Sequence, residues 1–184
     1  LMSSIFNSSV SAADLIDDFS DVDFKGRQAE RGDWKFEDKI ATCVSDPKLY
    51  VKFANHGPIL KWPTEFKAGR IEFEMKPTEC QRVVFTLNGD GHVFRIALVD
   101  PKRGMTAGQK KGTSSVIAWA TKSSKENKGD SIKPKGLPLL EKLDGKWTAV
   151  KLAIEGDHVE LAIGEFRTRI EHASLLRDKN SITL

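Results

Sequence analysis

The sequence predicts an all-β protein, a single domain in which two antiparallel sheets stack as a jelly-roll sandwich. Two observations lead to that prediction. Apolar and polar side chains alternate over many short stretches, whereas few stretches keep a helical period. Turn-forming residues separate many of these stretches, as in Asn55 to Pro58, Asn88 to Gly91 and Glu155 to Asp157.

The segment 67–76 shows how this alternation assigns a strand. Ile71 and Phe73 point one way while Glu72 and Glu74 point the other, which is the pattern of a strand with one buried face. One helical turn is expected at Ala173 to Arg177. The same reading predicts strands at 14–19, 33–37, 39–44, 49–54, 67–76, 81–88, 92–99, 115–122, 146–154, 157–163 and 165–171.

The last residues, 180–184, begin a further strand and then stop. A jelly roll that ends there lacks the strand that usually returns beside the first. We therefore expect either a chain cut short or an open sheet edge, and an open edge can recruit a partner.

Composition and charge exclude several classes of function. The chain has 184 residues and a net charge of +3, but residues 101–136 alone carry +7. Those cations lie in Gly-, Ser- and Pro-rich loops around one Trp, so we expect solvated loops and no nucleic-acid partner. The alternative is a phosphate-binding surface, and a polyanionic glycan is a lesser one. The four His residues lack metal-ligand spacing, and no nucleotide or nucleophile-elbow motif occurs, so no metal or cofactor is expected.

The N-terminus resembles the second half of a secretory signal. A modest apolar stretch ends in Val10-Ser11-Ala12, with small residues at both positions that a signal peptidase reads. Residues 1–12 are then a leader and residues 13–184 the domain, which predicts a secreted or periplasmic protein; the alternative is a disordered polar leader. No run reaches the ~20 apolar residues of a membrane span.

Cys43 and Cys80 are the two cysteines of the chain. In an exported protein an even number of cysteines favours pairing. Two cysteines on strands can equally be buried thiols, so both alternatives stay open.

Four segments together carry a family resemblance: DDFSD (17–21), GDWKFEDKIAT (32–42), FKAGRIEFEMKP (66–77) and GKWTAVKLAIEGDHVELAIGEF (145–166). In this order they resemble the 3-keto-disaccharide hydrolase-like family of the concanavalin A-like lectin/glucanase superfamily. The resemblance implies a two-sheet jelly roll, often secreted by bacteria, that cleaves or binds sugars.

The chain departs from the family at the polar motif. Family members often carry a strand resembling Y-E-V-Q that ends in Asp, and here His92, Val93 and Arg95 occupy the Tyr, Glu and Gln positions. Asp100 roughly keeps the Asp. The departure replaces a carboxylate and an amide and leaves the fold pattern intact.

The segment from Asn88 to Gly91 is expected to be a tight hairpin turn, since it supplies fewer acidic oxygens than a calcium loop needs. Strict alternation in the next strand turns His92 and Phe94 toward the core and Arg95 to the open face. There the guanidinium of Arg95, with its fork of N–H donors, could bind sugar hydroxyls or carboxylates. The alternative is an ion pair with a carboxylate on a neighbouring strand.

Glu72 and Glu74 share one strand face, with Cα atoms roughly 6.6 Å apart by strand rise. Glycosidases use two carboxylates about 5 to 10 Å apart, so Glu72, Glu74 and Asp100 are the candidate catalytic residues. Alternatively, Glu72 and Glu74 belong to an ordinary solvent-exposed strand face of Glu and Lys residues.

Four Trp residues remain as candidates for stacking on sugar rings. Trp34 and Trp147 fall in strongly alternating segments and are expected in the core. Trp62 and Trp119 are expected to be freer to face a groove. The predicted ligand-binding set is Asn88, Arg95, Trp119 and Lys122.

The sequence leaves three candidate functions to be tested. The first is a secreted domain that binds, and can also process, a carbohydrate. The second is a glycoside hydrolase acting on 3-keto-disaccharides or similar glycosides. The third is a non-catalytic module for attachment or assembly through its open edge.

Overall fold

The computed structural model describes residues 14–44, 51, 56–103 and 112–184. The expected leader at residues 1–12 and nearly all of the expected strand at 49–54 lie outside these residues. The described part contains the following strands: β1 (Gln28–Arg31), β2 (Trp34–Glu37), β3 (Ile40–Cys43), β4 (Ile59–Phe66), β5 (Gly69–Met75), β6 (Arg82–Gly89), β7 (Gly91–Val99), β8 (Ser115–Ala118), β9 (Asp130–Ile132), β10 (Thr148–Glu155), β11 (His158–Ile163), β12 (Phe166–Glu171) and β13 (Lys179–Thr183).

The strands form a two-sheet antiparallel sandwich, which confirms the predicted fold class. One sheet has seven strands in the order β1-β4-β13-β6-β7-β8-β9, and the other has four in the order β12-β11-β10-β5. Strands β2 and β3 pair as a separate hairpin. Two single-turn 3-10 helices, Leu140–Lys142 and Ala173–Leu176, complete the described elements. No helix in this part of the chain has the length and hydropathy of a membrane span.

The core lies between the two sheets. From the seven-stranded sheet, Phe94 and Ile96 are at most 3% exposed, and from the four-stranded sheet Leu152 and Leu161 are each 1% exposed. The expected alternation on β5 is confirmed, because Ile71, Phe73 and Met75 pack against this core while the residues between them are exposed.

Strand β13 corrects the expectation of an open edge at the C-terminus. It lies between β4 and β6 in the middle of the seven-stranded sheet. Beyond it, the Leu184 N–H donates to the Leu60 carbonyl and the Leu60 N–H donates to the Leu184 carbonyl, both at 2.9 Å. The last residues therefore join two parts of the sheet that are distant in sequence.

The strand expected at 14–19 is not formed. The Asp17 carboxylate accepts the Phe19 N–H and the Asp18 carboxylate accepts the Ser20 N–H, and such local bonds compete with strand pairing. Strands β1, β4 and β9 were missed. In β4 the order Lys61-Trp62-Pro63 hides the alternation, and its pairing with β13 contains a bulge.

A buried ion pair ties the N-terminal segment to the sheet. Arg27 donates to both oxygens of Asp17 at 2.7 and 3.0 Å, and the two side chains are 2% and 6% exposed. Trp62 of β4 donates to the same carboxylate at 2.8 Å. The Arg27 guanidinium also lies 3.8 Å from the ring centre of Phe36 on β2. One carboxylate thus connects three separate segments.

Two further expectations are corrected. Trp147 was expected in the core but is 53% exposed, because it precedes β10 rather than lying within it. Trp34 is partly buried, with its indole N–H on the Arg31 carbonyl. No disulfide joins Cys43 and Cys80 in the structure.

Lys179, the first residue of β13, carries a buried amine. Its side chain is 1% exposed, and Nζ donates to the carbonyls of Leu175 and Lys67 at 2.5 and 2.6 Å. Burial is the main cause that lowers its pKa from 10.5 to about 8. The folded state therefore favours the neutral amine more than the unfolded chain does.

We expect Asp17→Asn to lower the free energy of unfolding by about 3 to 5 kcal/mol, since it leaves the Arg27 charge buried without its counter-ion. Asp23→Asn is the matched control, because Asp23 is an exposed carboxylate of the same segment. Urea titrations of both variants measure the difference. Equal stability of the two variants contradicts the assigned role of the ion pair.

We expect the stability of the wild-type protein to rise with pH between about 8 and 10.5, because in this window the unfolded state binds the Lys179 proton and the folded state does not. The full change is on the order of 3 kcal/mol. Lys179→Met should remove this part of the slope, and Lys151→Met, at an exposed position, should keep it. Denaturant titrations at several pH values measure both, and an unchanged slope in Lys179→Met contradicts the assignment.

Candidate functional site

A β-bulge in β7 shapes the outer face of the seven-stranded sheet, the face turned away from the four-stranded sheet. Leu87 of β6 pairs with Phe94, but the next residue, Asn88, pairs with His92. Val93 is therefore the extra residue. Because a bulge reverses the alternation on one side of it, Val93 and Phe94 are both buried at 0% exposure and His92 turns outward.

The bulge corrects the predicted orientation of His92. Strict alternation placed His92 on the core face and Val93 on the open face, and both placements are wrong. The orientation predicted for Arg95 holds, since Arg95 pairs with Thr86 on the outer face and is half-buried. His92 and Arg95 consequently share one face although they are three residues apart.

A chain of hydrogen-bonded side chains runs across this face. His92 Nδ1 lies 2.8 Å from Asn88 Oδ1, and His92 Nε2 lies 2.6 Å from Arg95 Nη2. Arg95 Nε donates to Thr86 Oγ1 at 3.3 Å, and Asn88 Nδ2 donates to Thr183 Oγ1 at 3.3 Å. We call these five residues the polar array.

The hydrogen-bonding capacity of each group fixes the tautomer of His92. An arginine can only donate, so His92 Nε2 accepts from Arg95 and Nδ1 carries the proton that goes to Asn88 Oδ1. Burial and the nearby Arg95 charge both lower the pKa of His92. Since a protonated ring could not accept from Arg95, the array is intact above that lowered pKa and is disrupted as the pH falls through it.

Trp119 supports the array from beneath and does not form an exposed stacking surface. It is 4% exposed, so the prediction that it is free to face a groove is wrong. Its ring centre lies 5.4 Å from that of His92 and 5.4 Å from the Arg95 guanidinium carbon. Its indole N–H donates to the Asn127 carbonyl, and Gly129, at φ +77°, lies against the ring edge where a Cβ would approach within 2.7 Å.

Arg177 holds together the main chain around the array. Its guanidinium donates to four carbonyls, those of Asp90, His92, Trp119 and Thr121, at 2.6 to 3.1 Å. These carbonyls belong to the β6–β7 hairpin and to the segment that follows β8. Sequence reasoning did not identify Arg177, since an Arg after a helical turn carries no signal of such contacts.

The predicted ligand-binding set has four residues. Asn88 and Arg95 belong to the array, Trp119 packs against it, and Lys122 lies at its margin. Lys122 is 68% exposed and forms an ion pair with Asp90 in the hairpin turn at 2.7 Å. The prediction of a tight turn from Asn88 to Gly91 is confirmed, with Gly91 at φ +75°. Asn88 is the second-last residue of β6, and its side chain fixes His92.

Asp100 lies at the opposite end of β7 from the hairpin. It is 4% exposed, and its carboxylate accepts the Lys102 N–H at 2.8 Å and Arg103 Nε at 3.1 Å. Arg103 also donates to Asp144 at 2.8 Å. An open cleft of about 530 Å³ is lined here by Asp100, Lys102, Arg103, Glu141, Lys142 and Asp144.

The carboxylates that line this cleft are already occupied. Arg103 bridges Asp100 and Asp144, and Lys102 pairs with Glu141 at 2.8 Å. The geometry therefore indicates that Asp100 stabilises the turn after β7.

Glu72 and Glu74 lie on the outer face of the four-stranded sheet, on the other side of the sandwich from Arg95. Glu72 pairs with Lys151 across β5 and β10 at 2.8 Å, and both side chains are 54% exposed. Glu74 is exposed opposite Ala149. The structure thus brings neither glutamate to the polar array, and their catalytic role stays a prediction. Among the described residues no group of three His, Cys, Asp or Glu could hold a metal ion.

We expect Arg177→Gln to lower the free energy of unfolding by about 2 to 4 kcal/mol, because it leaves several carbonyls without their charged donor. Arg169→Gln is the control, since Arg169 forms only exposed ion pairs and should change stability by less than about 1 kcal/mol. Thermal and urea unfolding measure both. Hydrogen exchange should also rise in the β6–β7 hairpin of Arg177→Gln, and native-like protection there contradicts the assignment.

Solved structures with the same fold were found, whereas sequence comparisons gave no match. A β-glucanase of Bacillus licheniformis superposes with a TM-score of 0.58 at 9% identity, covering 91% of this chain and 81% of that chain. The CBM2 module of the evolved Dit of Lactobacillus casei BL23 phage J-1 gives 0.56 at 11% identity, covering 91% and 83%. A tetrameric galectin from the ball sponge Cinachyrella sp. gives 0.54 at 16% identity, covering 68% and 85%.

No family model matches the chain, and no curated protein sequence matches it. Membership of the 3-keto-disaccharide hydrolase-like family therefore stays a prediction. The structural neighbours are jelly-roll sandwiches, and this chain has that fold.

Proposed function

We propose that this protein binds a carbohydrate on the outer face of its seven-stranded sheet, with the polar array as the centre of the site. The observation that carries the proposal is the chain of hydrogen bonds from Thr183 through Asn88, His92 and Arg95 to Thr86. It places donors and acceptors in fixed directions on a half-buried surface.

A sugar is recognised by such an arrangement because its hydroxyl groups both donate and accept hydrogen bonds. In the array, Asn88 contributes an amide, Thr183 a hydroxyl and Arg95 a forked donor. Thr86 is 3% exposed, and its hydroxyl orients Arg95. The side chains already bond to one another, so little conformational entropy is lost when a ligand binds. Trp119 and Arg177 keep the array in this geometry without contacting the ligand.

The fold supports the same conclusion. The neighbours with this architecture include a galectin, a β-glucanase and a CBM2 module. These names refer to carbohydrate binding or processing by those proteins. A shared fold alone does not establish the same function for this protein. The array supplies the local evidence. We also propose, from the leader expected at residues 1–12, that the protein acts outside the cytoplasm.

Binding is favoured over hydrolysis by where the carboxylates lie. Hydrolysis of a glycoside needs two carboxyl groups on either side of the scissile bond. Among the five residues of the polar array there is no carboxylate, and Glu72 and Glu74 lie on the other sheet. Hydrolysis of 3-keto-disaccharides or related glycosides stays the alternative, on the resemblance described above.

The test is a glycan array followed by calorimetry with the best ligand. We expect Asn88→Ala and Arg95→Ala each to weaken binding about ten- to a hundred-fold, because each removes charged or directed hydrogen bonds to the ligand or to its neighbours in the array. Glu72→Gln and Lys151→Gln, on the other sheet, are matched controls and should bind as the wild type does.

Circular dichroism and thermal unfolding of each variant establish that it is folded. Loss of binding in the Glu72 or Lys151 variants, with binding retained in the Asn88 and Arg95 variants, contradicts the proposed face. The same panel of glycans and 3-keto-glycosides, assayed for release of reducing sugar, tests the hydrolase alternative. Turnover that is abolished by Glu72→Gln or Glu74→Gln would establish that alternative.

A further inference from the structure

The guanidinium of Arg95 keeps free donors at the surface of the array. Its five N–H groups meet two partners among the described residues, Thr86 Oγ1 through Nε and His92 Nε2 through Nη2. Nη1 makes no hydrogen bond there and is not among the fully buried polar atoms that lack a partner, so it is accessible. The Nη1 end of the guanidinium is therefore the free edge of Arg95.

The outer face around Arg95 holds no acid to neutralise it. Strand register places the following residues in one row with Arg95: Lys61, Thr183, Thr86, Ile117 and Ser131. The rows on either side contribute Ser181, Asn88 and His92, and Val84, Ala97 and Ser115. None of these residues is acidic, and no ion pair of Arg95 occurs within the described residues.

The nearest carboxylates that could serve have other partners. Asp90 in the hairpin turn pairs with Lys122. Glu30 pairs with Lys61 at 3.3 Å, and β4, which carries Lys61, is three strands from β7, about 14 Å away at normal strand spacing. The sequence left open an ion pair between Arg95 and a carboxylate on a neighbouring strand. No carboxylate of the described residues forms that pair.

A second cation adds to the charge of this face. Arg82 lies on the same side of β6 as Thr86, four residues away, and its charge is felt at Arg95. Burial and Arg82 together lower the pKa of Arg95, which means that the local environment opposes its charge. An anion bound beside Arg95 would relieve both effects.

We infer that the carbohydrate bound here is an acidic sugar whose carboxylate meets the free edge of Arg95. The inference rests on the proposed function and specifies its ligand class. A planar guanidinium with two parallel N–H groups matches a carboxylate in a bidentate pair, whereas a sugar hydroxyl offers one oxygen at a time. The +7 charge of residues 101–136 favours the approach of an anionic ligand of this kind.

The experiment compares each acidic glycan with its own neutral counterpart. An array of uronate- and sialate-containing glycans is printed twice, once intact and once after the carboxylates are reduced to hydroxymethyl groups. Sulfated glycans without carboxylates form a third set, and polyglutamate is the control for non-specific attraction. We expect wild-type protein to bind at least one intact glycan ten-fold or more tightly than its reduced form.

Arg95→Gln should remove this difference, and Arg95→Lys, which keeps the charge but not the fork, should recover only part of it. Lys151→Gln, on the other sheet, should leave it unchanged. The comparison of intact with reduced glycans on the wild-type protein decides the matter even if a variant fails to fold.

The outcomes separate the two proposals. Equal binding of intact and reduced glycans overturns the acidic-sugar inference and leaves carbohydrate binding in place. A preference for the sulfated set also overturns it, because a different anion is then recognised. Absence of binding to every glycan, or equally tight binding to polyglutamate, overturns both.

Discussion

A single extra residue in β7 determines what the outer face of the larger sheet presents. A regular strand would alternate through Val93 and bury His92, and the three polar side chains of Asn88, His92 and Arg95 could not meet on one face. The bulge places Val93 and Phe94 together in the core and turns His92 outward, opposite Asn88. The hydrophobic burial of two adjacent side chains thus holds in place a polar network on the other side of the sheet.

The parts around the bulge maintain that arrangement. Trp119 fills the space beneath His92 and Arg95, and the close contact of Gly129 with its indole ring leaves no room for a side chain at position 129. Arg177 then binds carbonyls on both sides of the array, so that the hairpin and the segment after β8 cannot move independently. The site is therefore built from the core outward, and its outermost groups are the ones left with free donors.

Sequence patterns predicted the fold well because the alternation on strands such as β5 and β10 directly records which face is buried. They predicted the position of Arg95 on the outer face for the same reason. They failed at His92, where two consecutive apolar residues, Val93 and Phe94, were the available signal of a bulge. They failed at Trp119 and Arg177 because burial by a distant loop and bonds to distant carbonyls depend on tertiary contacts that no local pattern records.

The two outer faces of the sandwich use charge differently, and this difference bears on where a ligand binds. On the four-stranded sheet, Lys151 has Glu72 beside it, and Arg169 has Glu160 and Glu171. Such exposed pairs neutralise one another and keep that surface soluble, at little gain in stability. On the seven-stranded sheet the array bonds to itself through neutral groups, and the charge of Arg95 stays without a counter-ion among the described residues. A half-buried charge without a counter-ion gains more free energy from an anionic ligand than a charge that is already paired on the opposite face. The charge of the ligand is therefore the property that best distinguishes the two surfaces.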